Sequence, residues 1–194
     1  MYVFIIIIII LFLIFYNLIN TEVKYVESKI DNKEYLVRDL DNSTQAAALL
    51  SNLKIRMEKI TNYLYKNRNS LFKENKEYIE NLYDRVSSGV KISENSSEVN
   101  YTSYSVNKGE ELVFCLRSRN KDTKNKFHKL NLLTYVLLHE MAHIACPEYG
   151  HTPLYNSIFA FIVTQSINIG EYTKIDFYQN NTEYCGMQIT SSIV

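Results

Sequence analysis

The chain has 194 residues, and its 21 Lys and Arg residues balance its 21 Asp and Glu residues, so the formal net charge is zero. That length allows one ordinary domain with its own core, and the charge balance excludes a general electrostatic attraction for nucleic acid. The three cysteines lie far apart and form no CxxC pair, which argues against a disulfide framework or a cysteine zinc ribbon. We expect structural or free thiols at Cys115, Cys146 and Cys185.

An apolar block occupies residues 2–19, with Asn17 as its polar interruption. As a helix it reaches about 27 Å, close to the thickness of the hydrocarbon core of a bilayer. No basic residue precedes the block, and no Ala, Gly or Ser occurs before Ser28, which argues against a cleaved signal peptide. The sequence therefore predicts an uncleaved transmembrane anchor over residues 1–20 and a single-pass membrane protein.

Two signals bear on the orientation of this anchor. Four basic residues follow the block: Lys24, Lys29, Lys33 and Arg38. By the positive-inside rule they place the domain on the cytosolic side. Four N-x-S/T sequons favour a lumenal domain instead, and they begin at Asn42, Asn95, Asn100 and Asn180. Because such triplets arise by chance in an asparagine-rich chain, we expect the cytosolic side.

After the anchor, the sequence predicts a stalk over residues 21–40 and one domain over residues 41–194. Apolar residues at helical spacing predict helices over residues 43–65 and 73–86. The Ser, Gly and Asn residues between positions 87 and 100 predict a loop. Two β-rich runs flank Asn107-Lys108-Gly109, which predicts a hairpin.

The second half of the domain begins with a basic stretch that contains Arg117, Arg119, Lys121, Lys124, Lys126 and Lys129. We expect a solvated loop here, with contact to phosphate or an acidic substrate as the alternative. Helices are predicted over residues 131–145 and 153–167, the second beginning at a proline. The tail predicts one or two short strands, so the fold class is α+β with a short antiparallel sheet.

The motif HEMAH lies within the first of these two helices. His139 and His143 are four residues apart, so both imidazoles lie on one face of the helix and can bind one metal ion. Glu140 lies one step round the helix, where it can reach a water on that ion without ligating it. Neutral imidazoles suit Zn²⁺, which activates the water while the carboxylate accepts a proton. The helix is apolar almost all round and therefore buried, and a bound ion would satisfy three polar groups that are otherwise costly there.

A catalytic zinc usually has a third protein ligand. His151 follows His143 by eight residues, after a loop in which Pro147 ends the helix and Gly150 permits a sharp turn. We therefore expect His151 to be the third ligand. Cys146 and Glu148 are alternatives, ranked lower because the first lies only one turn past His143 and the second lies early in the loop.

The pattern "HEMAH…GHTPLY" resembles the WLM/SprT-like minimal metalloproteases, and most of all their small versions in large DNA viruses. The segments "AAALL", "SYSVNKGEELVFCLR" and "EYCGMQI" extend this resemblance across most of residues 40–190. The resemblance implies a small zincin-like domain in which His139, His143 and His151 bind zinc and Glu140 is the general base. The sequence departs from the pattern by a longer gap before His151, by Thr152 in place of Gly and by Tyr155 in place of Phe.

These observations predict a membrane-anchored zinc metallopeptidase that acts on a protein or peptide substrate. Two alternatives stay open: a DNA–protein crosslink protease, disfavoured by the zero net charge and the anchor, and a non-catalytic, zinc-stabilised structural module of the membrane. Tyr149 and Tyr155 are candidates to hydrogen-bond a tetrahedral oxyanion, although core or surface roles are commoner for tyrosine. His128 precedes the motif helix, and we expect it to face solvent.

Overall fold

The computed structural model describes residues 6–10, 22–96 and 101–194, and within these ranges the domain is α+β as predicted. Residues 6–10 are helical. The later elements, in chain order, are β1 (Val23–Glu27), β2 (Glu34–Arg38), α1 (Ser43–Asn67), α2 (Lys76–Ser87), β3 (Lys91–Glu94), β4 (Tyr104–Val106), β5 (Glu111–Phe114), α3 (Leu130–Ala145), α4 (Pro153–Asn168), β6 (Thr182–Tyr184) and β7 (Met187–Ile189). Short 3₁₀ turns lie at Lys73–Asn75 and Lys121–Thr123.

Helix α3, which carries the HEMAH motif, is at the centre of the core. It packs against α1, α2 and α4, and 12 of its 16 residues are buried, as its apolar character predicts. Helix α1 presents to it a stripe of buried residues at intervals of three or four, including Leu50, Leu53 and Met57. The HEMAH motif is therefore surrounded by packed helices.

The main sheet has three strands in the order β3-β5-β4. Strands β4 and β5 form the predicted antiparallel hairpin, but β3 pairs with β5 in parallel, so the sheet is mixed. The prediction of a loop over residues 87–100 is wrong at Lys91–Glu94, which form β3. Its residues Ser93 and Glu94 are polar yet buried, because Ser93 Oγ donates to Glu111 (2.6 Å) and Glu94 pairs with Arg117 (2.6 Å).

The first hairpin, β1–β2, occupies the segment for which the sequence predicts a stalk. Its strands pair from Val23 opposite Arg38 to Glu27 opposite Glu34. Tyr35 and Val37 are buried, and β2 packs against α1. The hairpin therefore contributes apolar side chains to the core of the domain.

Two predictions about the second half are wrong. Cys115 and Cys185 form a disulfide between the end of β5 and the β6–β7 turn, and only Cys146 is a free thiol within the described residues. His128 is buried rather than exposed, because this same hairpin covers it and its Nε2 accepts a hydrogen bond from the Cys185 amide at 3.3 Å. The two residues of each contact lie more than 50 positions apart in sequence, so no local pattern indicates the disulfide or the hydrogen bond.

The membrane prediction is also wrong on the structural finding. Within residues 6–10, 22–96 and 101–194, no helix combines the length and the apolarity that crossing a bilayer requires. Of the predicted anchor over residues 1–20, residues 1–5 and 11–20 lie outside the described residues. The predictions of a transmembrane helix and of a single-pass membrane protein are therefore not supported.

Candidate metal centre

Three imidazoles converge at one point beside helix α3. The Nε2 atoms of His139, His143 and His151 are each 3.2 Å from the other two. Their potential ligand atoms form the one such His/Cys/Asp/Glu cluster among the residues that the structure describes. The three side chains are thus close enough to hold one metal ion.

Local geometry explains this convergence. His139 and His143 share a face of α3 because they are one helical turn apart. The chain then leaves the helix at Cys146, turns through Gly150 in a left-handed conformation (φ +81°), and enters α4 at Thr152. The Thr152 hydroxyl accepts a hydrogen bond from the Tyr155 amide at 3.2 Å, which fixes the start of α4 directly after His151.

The spacing of the nitrogens fits tetrahedral zinc. Two nitrogen ligands at the usual Zn–N distance of about 2.0–2.1 Å are separated by about 3.3 Å in a tetrahedron. Without an ion, three mutually adjacent imidazole nitrogens cannot all be satisfied, since each neutral ring has a single proton. The donor set therefore fits a zinc ion with one coordination position left open.

The protonation state of the histidines also suits a metal. Burial, reinforced by His143 and His151, lowers the pKa of His139 to about 3. Burial, together with His151 and Lys108, lowers the pKa of His143 to about 4. Both rings are consequently neutral at pH 7, which is the form that ligates.

Glu140 lies beside this cluster but outside it. Its side chain is only 4% exposed, and burial raises the pKa of its carboxyl group to about 7. Its carboxyl group makes no hydrogen bond with the described residues, and it is not among the clustered ligand atoms. A carboxyl group with this pKa can exchange a proton near neutral pH.

Tyr155 fixes the orientation of His139. Its hydroxyl oxygen is 2.8 Å from His139 Nδ1 and 3.2 Å from the His139 carbonyl oxygen. Because the hydroxyl proton is donated to the carbonyl, the oxygen accepts from Nδ1–H, which leaves the Nε2 lone pair free for a metal. Tyr155 is 1% exposed and stacks on His143, with ring centroids 4.2 Å apart. The two candidate tyrosines therefore differ: Tyr155 is buried against the histidines, whereas the side chain of Tyr149 is 84% exposed.

We expect Tyr155→Phe to weaken zinc binding by about 10- to 100-fold, the usual effect of losing a partner that orients a metal-binding histidine. Competition with a chelator of known affinity measures this change. Tyr135→Phe is the matched control, since it removes another buried hydroxyl from the same side of α3, one that accepts from the Ile193 amide. Equal zinc affinities in the two variants would contradict the orienting role of Tyr155.

Lys108, at the turn of the β4–β5 hairpin, clamps the loop that precedes His151. Its Nζ donates to the carbonyl oxygens of Cys146 (2.7 Å), Pro147 (2.9 Å) and Glu148 (3.1 Å). The adjacent Gly109 is essential to this approach, because a Cβ atom there would come within 2.8 Å of Ile144 on α3. No local sequence pattern indicates this role of Lys108, because its hydrogen-bond partners lie about 40 positions away.

We expect Lys108→Met to keep the aliphatic stem but release the loop, so that zinc affinity falls by about tenfold and the loop becomes sensitive to proteases. Both effects follow from the loss of three hydrogen bonds that hold the backbone before His151. Lys126→Met, at an exposed position, serves as the control. A Lys108→Met protein with unchanged zinc affinity and unchanged proteolysis would show that the clamp is dispensable.

The histidines open onto a cleft of about 420 Å³. Glu140 and the edge strand β4, through Tyr104 and Ser105, line it as well. The alternative ligands do not join the cluster: Cys146 is buried at the end of α3, and Glu148 is exposed on the rim.

Comparison with known proteins identifies the relatives of this chain. The uncharacterized protein R325 of Acanthamoeba polyphaga mimivirus is 41% identical over 175 residues, which span 90% of this chain and 86% of R325. The chain belongs to the R325 family. Protein 136R of Invertebrate iridescent virus 6 is more distant: it is 24% identical to this chain over 82% of the chain and 85% of 136R. Protein 042R of Invertebrate iridescent virus 3 is 32% identical over 44% of the chain and 50% of 042R.

The predicted kinship with viral proteins is thus confirmed for this member of the R325 family. No protein-family model matches the chain. Among solved structures, Wss1 from Saccharomyces cerevisiae aligns with 54% of this chain and 83% of its own, at 15% identity and a TM-score of 0.37.

Proposed function

We propose that this protein is a zinc-dependent metallopeptidase of the WLM/SprT-like type that hydrolyses peptide bonds. The observation that carries the proposal is the triangle of His139, His143 and His151 nitrogens, 3.2 Å on each side, beside the buried carboxyl group of Glu140. Structural zinc sites usually have four protein ligands, whereas catalytic sites have three and an open position. Three histidines in an open cleft match the second kind.

The proposed chemistry divides between the ion and one side chain. A bound zinc ion polarises the substrate carbonyl and lowers the pKa of a coordinated water to about 7. Glu140 accepts the proton of the attacking water and returns it to the leaving amine. Its position next to His139, outside the ligand set, leaves it free for this task.

The cleft favours an extended peptide as the substrate. Strand β4 lines the cleft and lies at the edge of the sheet, with β5 as its neighbour within the described residues. A peptide in extended conformation can add to such an edge through backbone hydrogen bonds, which would place a scissile bond alongside the histidines. This arrangement supports the proposal that the substrate is a protein or peptide.

A cleavage screen tests the proposal. The zinc-loaded full chain is incubated with peptides derived from a proteome, and products are identified by mass spectrometry. We expect cleavage that a zinc chelator abolishes and that added zinc restores. If the protein binds one zinc per chain and unfolds without it but cleaves nothing, the non-catalytic zinc-stabilised module is the correct function.

A further inference from the structure

We propose a second site, a cleft that binds hydrogen phosphate, formed by β2, the end of β5 and the basic stretch that follows. The cleft has a volume of about 350 Å³ and shares no lining residue with the cleft of the histidines. Among the residues that the structure describes, its lining includes four cationic side chains and no acidic one: Arg38, Arg117, Arg119 and Lys124. A volume about ten times that of a water molecule leaves room for a small anion with part of its hydration shell.

Arg117 supplies the strongest evidence, because it is a buried cation with an unused donor. The residue is only 2% exposed. Its Nε donates to Glu94 Oε1 at 2.6 Å, and its Nη1 donates to Asn42 Oδ1. Its Nη2 is buried and has no hydrogen-bond partner among the residues that the structure describes. A buried guanidinium N–H without an acceptor is costly, so this atom favours an oxygen ligand in the cleft.

Arg38 adds a second unused donor. Its Nη1 donates to Asn125 Oδ1 at 3.3 Å, while its Nε is buried and finds no hydrogen-bond partner within the described ranges. The nearest carboxylate oxygen, on Glu22, is 4.0 Å from this Nε, too far for a hydrogen bond. Two guanidinium groups with free N–H donors at one cleft are the usual arrangement for binding an oxyanion.

The remaining polar groups distinguish phosphate from other anions. Asn95 uses its amide nitrogen to donate to the carbonyls of Tyr101 (2.6 Å) and Thr102 (3.0 Å), and its Oδ1 is buried with no donor in the described part of the chain. Sulfate and carboxylate only accept hydrogen bonds at neutral pH. Hydrogen phosphate also carries a P–OH group, so it can accept from the two arginines and donate to Asn95.

Other contacts hold the arginines in place before any ligand arrives. The Arg117 guanidinium lies over the Phe127 ring, 4.2 Å from its centroid, and both Glu94 oxygens are already engaged, the second by the Arg38 amide at 2.8 Å. Arg119 is anchored by its bond to the Tyr101 carbonyl at 3.1 Å. Glu94 and, at the longer distance of 4.0 Å, Glu22 therefore offset two of the four positive charges, and the described lining keeps a net positive charge.

Calorimetric titration of the full chain with inorganic phosphate, in about 0.15 M NaCl, tests the site. We expect one phosphate per chain, with Arg38→Gln weakening binding by about tenfold or more and Lys124→Gln by about threefold. Lys121→Gln is the matched control, because Lys121 is exposed in the same stretch but does not line the cleft, and it should change affinity by less than about twofold. His143→Ala should keep phosphate binding, which separates this cleft from any phosphate held at the metal centre.

Three results would overturn the proposal. The first is folded protein that shows no phosphate binding at tens of millimolar. The second is sulfate or acetate binding as tightly as phosphate, since neither anion has a proton for Asn95. The third is an equal loss of affinity in Lys121→Gln and Lys124→Gln, which would indicate a diffuse surface charge. Lys124→Gln replaces an exposed side chain, so the comparison stands even if Arg38→Gln does not fold.

Discussion

We expect Glu140→Gln to lower the turnover of peptide cleavage by about two to four orders of magnitude, the usual contribution of a positioned general base. The amide has nearly the same shape as the carboxyl group but cannot accept the proton. Because Glu140 lies outside the cluster of ligand atoms, zinc content should stay at one per chain. Turnover on a substrate from the cleavage screen and zinc by elemental analysis are measured on the same preparations.

Glu148→Gln is the matched control for this prediction. Glu148 lines the same cleft but is exposed, and its contact with Lys108 uses the backbone carbonyl rather than the carboxylate. Its loss should leave turnover within about threefold of the wild type. A Glu140→Gln enzyme with full activity would show that another group takes the proton.

Removal of the central ligands should have the largest effect on the metal. We expect His139→Ala and His143→Ala to abolish zinc binding, and His151→Ala to weaken it, since His151 is the exposed member of the cluster. Loss of His139 or His143 leaves one imidazole on α3, whereas His151→Ala keeps the pair that the helix holds on one face. Zinc binds the folded state, so stability to heat should fall together with zinc content.

Measurements of zinc stoichiometry and of thermal unfolding in each variant, with and without added zinc, test this prediction. His128→Asn provides the control, because it removes a histidine outside the cluster and keeps an acceptor for the Cys185 amide. Its stability can change because the position is buried, but it should still bind one zinc. Zinc bound normally by His143→Ala would contradict the assignment of the metal centre.

Sequence patterns anticipate the features that depend on neighbouring residues. The helix over residues 131–145 and the shared face of His139 and His143 follow from the helical repeat, and the observed helix is Leu130–Ala145. The β4–β5 hairpin follows from the turn at Asn107-Lys108-Gly109, where all three residues have positive φ. His151 is reached through Pro147 and Gly150, which end the helix and turn the chain.

Other features escape sequence analysis because polar residues are satisfied by distant partners. The Ser, Gly and Asn residues between positions 87 and 100 predict a loop where β3 forms, yet Glu111 and Arg117 hold Ser93 and Glu94 inside the domain. Arg117 itself belongs to a stretch that we expected to be solvated, and it is 2% exposed. In each case burial depends on a hydrogen bond or an ion pair that only the assembled sheet provides.

The sequence by itself determines that two imidazoles and a carboxyl group share an apolar, buried helix, because spacing along one helix is set by covalent geometry and the 3.6-residue turn. Only the tertiary structure decides how those groups are tuned. Tyr155 packs under His139 from the next helix, and Lys108 reaches the loop before His151 from a hairpin about 40 residues earlier. Such contacts depend on how the helices and the sheet pack together, and the spacing of residues along the sequence does not reveal that packing.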